Sequence, residues 1–338
     1  MSRIVPRIVF SSRGEVELDE IVIDDPAPNQ ILVGVRKTQV SAGSERNSLE
    51  NEHGEDRYRY PRPTGYTSVG VVEAIGADVK GYVEGDRVLI LSPHQGAALV
   101  EVDPRGHPDQ SYAGKVPDDV TDSQATFAIL GDVALHGVRR ARPYLGESVA
   151  VFAQGLVGQL TTTFASLAGA YPVIAVDILD ERLERSRESG ATHIVNASED
   201  DAVDAVHDLT GGGARVVFMA ARDPRVLPDC LKAAARGATV CLTGSPPGTV
   251  ELNLQHELLR HELDLIGNYQ SDYPAQPYHR FQWTRPANRA YVLDQIRLGR
   301  LKVDHLITHD VSYTRASEMY QMISEGPKGW LGVIFDWT

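Results

Sequence analysis

The sequence predicts an α/β protein: a doubly wound parallel sheet joined to a second, β-rich domain. Three observations lead there. Strand-like and helix-like segments alternate from about residue 123 to residue 270, and such alternation builds a parallel sheet with helices on both faces. Within that stretch "VAVFAQGLVGQL" reads as a strand, a glycine turn and a helix start. The first third of the chain instead consists of short β-branched runs separated by turn residues. With 338 residues the chain exceeds one core of ordinary size, so two domains are expected.

The elements follow in order. "ILVGVRKTQV", "SVGVVEAIG" and "DRVLILS" are strands, broken by "DDPAPNQ", "GADVKGYVEGD" and "SPHQG"; this spacing suits a barrel-like or sandwich domain. "DSQATFAILGDVALHGVRRA" has apolar residues at helical spacing, with Asp122 or Ser123 as the cap. "VIAVD", "GATHIVN", "ARVVFMAA", "GATVCLTGS" and "LDLIGN" supply further strands. From Ser271 the chain turns irregular and aromatic, then a helix leads to a last strand in "LGVIFDWT".

Composition narrows the function. A hydrophobic content of 42% and a charged content of 23% are those of a soluble globular protein. A formal net charge of −13 argues against nucleic acid and anionic membrane as partners. The two cysteines, Cys230 and Cys241, form no disulfide framework and lack metal-ligand spacing. No run approaches the roughly 20 apolar residues of a membrane span, and "MSRIVPRIVF" has no apolar stretch of signal-peptide type. A cytoplasmic enzyme is expected.

The glycine turn fits a dinucleotide. Gly155 lets the backbone approach a pyrophosphate, and Gly158 lets the helix lie close to the strand. The first-turn N–H groups, those of Leu156 and Val157 among them, then face the phosphates. Ala153 stands where the fingerprint has its first glycine, a departure expected to loosen the turn slightly. Asp177 ends the next strand; a carboxylate there accepts hydrogen bonds from the adenosine ribose hydroxyls and repels a 2′-phosphate, which points to NAD over NADP. The alternative for Asp177 is a plain polar cap on the loop "DILDERL".

Together, "SAGSER", "GYTSVGVVEAIG", "GYVEGDRV", "FAQGLVG", "VIAVD" and "GATHIV" resemble, in order and spacing, the medium-chain dehydrogenase/reductase superfamily, the zinc alcohol dehydrogenase-like proteins. The resemblance implies a GroES-like catalytic domain (1–122), a Rossmann NAD-binding domain (123–270) and a C-terminal return to the catalytic domain (271–338). It also implies a small alcohol or ketone substrate, a homodimer or homotetramer, and cofactor contacts from Arg182, Ala220 and Gly244.

The likeness breaks at the metal. The family's first zinc ligand, a Cys, corresponds to Ala42; its His ligand corresponds to Tyr66; its third falls at Ile129 or Leu130. The region of the family's Cys-rich lobe, "SPHQGAALVEVDPRGHPDQ", has no Cys. Zinc needs three or four N, S or O ligands, so no metal is expected; His94 and His107 read as plain polar residues. Without zinc to lower the alcohol pKa, a side chain must handle the proton. The resemblance puts Ser44 at the proton-relay hydroxyl, Tyr66 at the former His position and Glu45 at a family acid, while Asn47 stands at the relay His. Two readings stand for Tyr66: acid–base group, or a ring filling the space of the metal. Glu45 reads equally as structural, paired with Arg46 or a backbone amide. Asp132 and His136 are secondary candidates. Tyr269, Asp272, Tyr273, Trp283 and Arg285 line either a sugar-type pocket or a subunit contact.

The resulting expectation is a zinc-independent, NAD-dependent dehydrogenase acting on a secondary alcohol of a sugar, cyclitol or aminoglycoside-like molecule. A zinc-free quinone or enoyl reductase, and a non-catalytic NAD-binding scaffold, are the alternatives.

Overall fold

The computed structural model of the chain describes residues 2–52, 58–102, 113–269 and 283–338. The chain divides into two compact units. One comprises Met1–Ile129, Ser271–Gly299 and Ile307–Thr338; the other comprises Leu130–Gln270 and Arg300–Leu306.

The second unit holds a six-stranded sheet in which every neighbouring pair is parallel. Across the sheet the strands run His193–Asn196, Val173–Asp177, Val149–Phe152, Ala214–Met219, Ala234–Leu242 and Asp264–Gly267. By chain position this is the order 3-2-1-4-5-6 of a dinucleotide-binding sheet, whose ligands bind outside the carboxyl ends where the order reverses. That switch lies between Val149–Phe152 and Ala214–Met219. Val149–Phe152 and Val173–Asp177 are buried along their whole length, as strands covered on both faces require. Helix Leu156–Leu167 buries most of its residues and follows directly from Gly155, its N-cap.

The first unit is sheet-rich. Its larger sheet centres on Gln30–Gln39, which pairs antiparallel with Ser68–Ile75, Ala97–Glu101 and, from the far end of the chain, Gly332–Asp336. The last of these pairings aligns Ile334 with Gln39, so residues near 40 and near 335 are sheet neighbours. A smaller sheet joins Arg3–Ser12 with Glu15–Ile23 and Arg62–Pro63. Helices Ala42–Glu50 and Ala316–Glu325 share one core with Ile8, Phe10, Val333 and Phe335.

One expected boundary is corrected. The cap of the helical stretch at 122 is Thr121, not Asp122 or Ser123: its hydroxyl accepts the Gln124 N–H while the Gln124 side chain accepts the Thr121 N–H. Helix Asp122–Ala125 is followed by a separate helix, Phe127–Ala141.

Candidate active site

The sequence "PTGYTS" enters strand Ser68–Ile75 through a turn in which Gly65 has φ +84°. A Cβ there would lie 2.5 Å from the His94 ring, so glycine is required for both backbone and space. The turn delivers Tyr66 to the start of helix Ala42–Glu50. The Tyr66 hydroxyl donates to Ser41 Oγ at 2.5 Å and is also hydrogen-bonded by Ser44. Burial pushes the Tyr66 phenol above its ordinary value of 10.0, the Ser41 bond opposes the shift, and the charge of Glu45 adds to it. The phenol is therefore protonated in the free protein at neutral pH. Ser44 is exposed, whereas Ser41 is buried.

Glu45 lies behind this pair and is buried. Its Oε1 accepts the Ser41 N–H at 2.7 Å. Its Oε2 accepts the Tyr320 hydroxyl, the His94 Nε2–H at 3.1 Å and the Thr64 hydroxyl at 3.3 Å. Burial opposes ionisation of Glu45, but His94, Tyr320 and the Ser41 amide outweigh it and hold the carboxyl below its ordinary value. Three of the four donors converge on Oε2 and one reaches Oε1, so the carboxylate faces donors inside the protein. Of the two partners expected for a structural Glu45, Arg46 faces Glu52 instead; the backbone-amide partner is Ser41.

Sequence reasoning missed Tyr320, and it read His94 as a plain polar residue rather than a partner of Glu45. His94 is fully buried, edge-on to Phe335 at 5.4 Å, and Tyr320 is edge-on to Phe10 at 5.1 Å. Tyr320 arrives from a helix 275 residues after Glu45, a separation that no local pattern spans. Asp132 and His136 belong to the other unit, one turn apart on helix Phe127–Ala141, and both are buried. Burial, with Arg140 and Arg139, pushes the His136 imidazole down to about 4, so it is neutral at physiological pH.

The donor set does not fit a catalytic zinc. Ala42 offers no ligand, Ile129 and Leu130 are buried apolar side chains, and Tyr66 is a neutral phenol already committed to Ser41. Among the described residues no group of three His, Cys, Asp or Glu side chains is placed to hold a metal ion.

The second unit carries the nucleotide turn. Ala153, just past strand Val149–Phe152, has φ +72°. The turn is strained rather than loosened, because an L side chain in that region costs about 1–2 kcal/mol. A Cβ at Gly158 would sit 1.9 Å from the Ala153 carbonyl oxygen, so close helix–strand packing demands this glycine. Gly155 differs: its φ is −68°, and a Cβ would meet nothing nearer than Arg182 Nη1 at 3.9 Å. Among the described residues nothing excludes a side chain there, whereas a pyrophosphate approaching the backbone would. Leu156 and Val157 follow in the first helical turn, where backbone donors lack intrahelical acceptors.

Asp177 is buried at the end of its strand, where it accepts three N–H groups, from Gln154 at 2.5 Å, Ile178 at 2.7 Å and Leu179 at 3.0 Å. It thus braces the loop and the glycine turn together. Burial lowers the Arg182 pKa, while Asp177 and Glu181 favour its charge. Ala220 and Gly244 follow strands Ala214–Met219 and Ala234–Leu242; a Cβ on Gly244 would press within 2.6 Å of the Ala221 carbonyl and 2.8 Å of Ala220. The Thr243 and Gly244 amides both donate to the Met219 carbonyl. These residues line the carboxyl ends of the sheet, where a dinucleotide binds.

Of the aromatic loop, Tyr269 and Trp283 are exposed and Arg285 is buried at the start of helix Arg285–Arg297. His107, Asp272 and Tyr273 lie outside the described residues. No helix among the described residues is long and apolar enough to cross a membrane.

Residues 157–282 match the family profile "Zinc-binding dehydrogenase". An alcohol dehydrogenase of Cupriavidus necator is 30% identical over 258 residues, covering 63% of this chain and 68% of that protein. D-xylulose reductase of Saccharomyces cerevisiae is 26% identical over 351 residues, covering 95% and 94%. Among solved structures, a zinc-binding dehydrogenase from Sinorhizobium meliloti bound to NADP superposes with a TM-score of 0.82 at 22% identity, covering 99% of each chain, which is a likeness of fold.

Proposed function

We propose that this chain, which belongs to the zinc-binding dehydrogenase family, is a metal-independent, NAD-dependent dehydrogenase. It interconverts a secondary alcohol of a polyhydroxylated small molecule and the corresponding ketone. The observation that carries the reading is the Tyr66 hydroxyl. It is held by Ser41 and Ser44 at the position where the resemblance puts the family's His ligand, and the other such positions, Ala42 and Ile129 or Leu130, have apolar side chains.

Bound at the Gly155 turn, NAD supplies the hydride acceptor for alcohol oxidation and, as NADH, the hydride donor for ketone reduction. The chain's own residues hold the cofactor and handle the proton. The opening at Gly155, the first-turn amides and the Asp177 brace favour a pyrophosphate with an unphosphorylated ribose. In reduction the Tyr66 hydroxyl turns from Ser41 Oγ to the substrate oxygen and gives up its proton, the phenolic oxygen then accepting the Ser41 hydroxyl; in oxidation it takes the proton back. Ser44, exposed beside it, supplies a second hydrogen bond to that oxygen. The name of the D-xylulose reductase relative supports a sugar- or polyol-like substrate.

Tyr66→Phe keeps the ring and deletes the hydroxyl. It should lower kcat by ~10²–10⁴ while NADH still binds; turnover near wild type would reduce Tyr66 to packing. The pH dependence has a definite sign. Reduction needs the protonated phenol, which is present below its raised pKa and lost as pH rises through it. The wild-type reduction rate should therefore stay flat to at least about pH 10, the ordinary phenol value. Activity should also survive chelation. About one zinc per chain by elemental analysis, with chelation abolishing turnover, would overturn metal independence.

A further inference from the structure

Helix Ala42–Glu50 begins in a way that local stability does not explain. A serine at an N-cap ordinarily turns its hydroxyl onto first-turn N–H groups, a bond worth about 1 kcal/mol. Ser41 makes no such bond; its Oγ accepts the Tyr66 hydroxyl instead. Restraint of Ser41 passes to Glu45, whose carboxylate takes the Ser41 N–H. A glutamate reaches back to the cap amide here from N4, one residue beyond the N3 position of a capping box, while the cap hydroxyl is diverted to Tyr66. Local rules broken in this way mark functional positions.

The carboxylate that restrains Ser41 is itself clamped. His94 Nε2 and the Tyr320 hydroxyl both converge on Glu45 Oε2. The other ring nitrogen of His94, Nδ1, is buried with no hydrogen-bond partner among the described residues, where Glu45 is the polar anchor of that ring. Tyr320 packs its ring against Phe10 and Phe335, contacts that need no hydroxyl. A buried carboxylate costs several kcal/mol of desolvation, and well-packed apolar residues often serve stability as well or better. Geometry, rather than stability, accounts for four donors gathered on one acid beneath Ser41.

We propose that Glu45, clamped by His94 and Tyr320, is a positioning group that fixes Ser41 so that Ser41 Oγ holds the Tyr66 hydroxyl in one orientation. This rests on the reading of Tyr66 as the acid–base group. None of the three touches substrate; each acts through Ser41.

A double-mutant cycle between Tyr320→Phe and Tyr66→Phe tests it, with NADH binding followed by fluorescence. Tyr320→Phe alone should lower kcat about tenfold, with KM and NADH affinity unchanged, as expected for a misplaced reacting group. In the Tyr66→Phe background the same change should alter kcat by less than about twofold, because the hydroxyl being positioned is already gone. An equal loss in both backgrounds would overturn the positioning role while leaving the Tyr66 reading intact. If Tyr66→Phe alone turns over like wild type, the Tyr66 reading fails and this inference falls with it. A second readout needs no turnover. In isotope-labelled tyrosine NMR, the Tyr66 resonance (identified by its loss in Tyr66→Phe) should move in Tyr320→Phe and in Glu45→Gln. An unmoved resonance would also overturn the proposal. Should Glu45→Gln fail to fold, Tyr320→Phe carries both readouts, since its ring packing is retained.

Discussion

Each unit has a turn that carries candidate functional residues, and each turn contains a residue with positive φ: Gly65 at 84° in the first unit and Ala153 at 72° in the second. In the first turn side chains press on the backbone, and the His94 ring fills the space a Cβ would take at Gly65. In the second, backbone presses on backbone, and the Ala153 carbonyl leaves no room for a Cβ at Gly158. The first turn carries Tyr66, a phenol bonded to Ser41, at the position where the resemblance puts the family's His ligand. The second keeps its spacing with a single departure, Ala153. The contrast separates two kinds of recognition. A dinucleotide is held largely by backbone amides and glycine spacing, which are indifferent to the alcohol being handled. Proton handling depends on side chains that a few substitutions replace without altering the fold.

The sharpest way to break the contrast is Gly158→Ala. The clash is with a carbonyl oxygen at 1.9 Å, which cannot rotate away as a side-chain tip would. Overpacking of this kind costs about 1–3 kcal/mol or more, so NADH affinity should fall at least about tenfold. The Tyr66 resonance in the other unit should be unmoved; if it moves, the two turns are not independent. Asp177→Ser comes next. It removes the acceptor of three N–H groups, and hydrogen bonds to a charged group are worth about 1.5–3 kcal/mol in favourable cases. NAD binding should weaken about tenfold, and the gap between NAD and NADP should narrow as the negative charge leaves. Equal use of NAD and NADP by the wild-type protein would refute the NAD preference assigned to Asp177.

The two turns also differ in how legible they were. The first two strands of the parallel sheet, the glycine turn between them and the acid at the end of "VIAVD" lie within about thirty residues, where periodicity and spacing suffice. Missing from that reading was the brace itself: Asp177 bonds back to Gln154, and the Gln154 side chain continues to Thr162 and Ser186. Around Tyr66 the sequence offered the right residue but not its surroundings. For Glu45 the sequence offered only Arg46 or a backbone amide as partners, because its side-chain donors sit at 64, 94 and 320. Thr64 and His94 meet through the His94 N–H bond to the Thr64 carbonyl, and Tyr320 joins them from the helix before the last strand, which returns to pair with Gln30–Gln39. His94 sits in a polar-looking loop, "SPHQG", yet its main chain is fixed on both sides, donating to the Thr64 carbonyl and accepting from the Ile8 amide. A one-dimensional pattern carries no record of such closures.

The smallest expected effect concerns the one departure in the second turn. Ala153 holds a left-handed backbone conformation at a position where the fingerprint has glycine. Relief of about 1–2 kcal/mol is available from Ala153→Gly. Two opposing effects reduce it. Glycine adds about 0.4–1 kcal/mol of unfolded-chain entropy, and the Ala153 methyl, which packs against the core of the sheet, is lost. The net gain should be no more than about 1 kcal/mol, a rise of roughly 2 °C in the melting temperature of a unit this size. NADH affinity should change by less than about twofold, since Gly155 and the first-turn amides keep their places. A melting temperature lowered by Ala153→Gly would mean that the methyl contributes more than the strain costs. The alanine would then be a packing residue of this turn in its own right, and the two turns would be closer in kind than their glycines suggest.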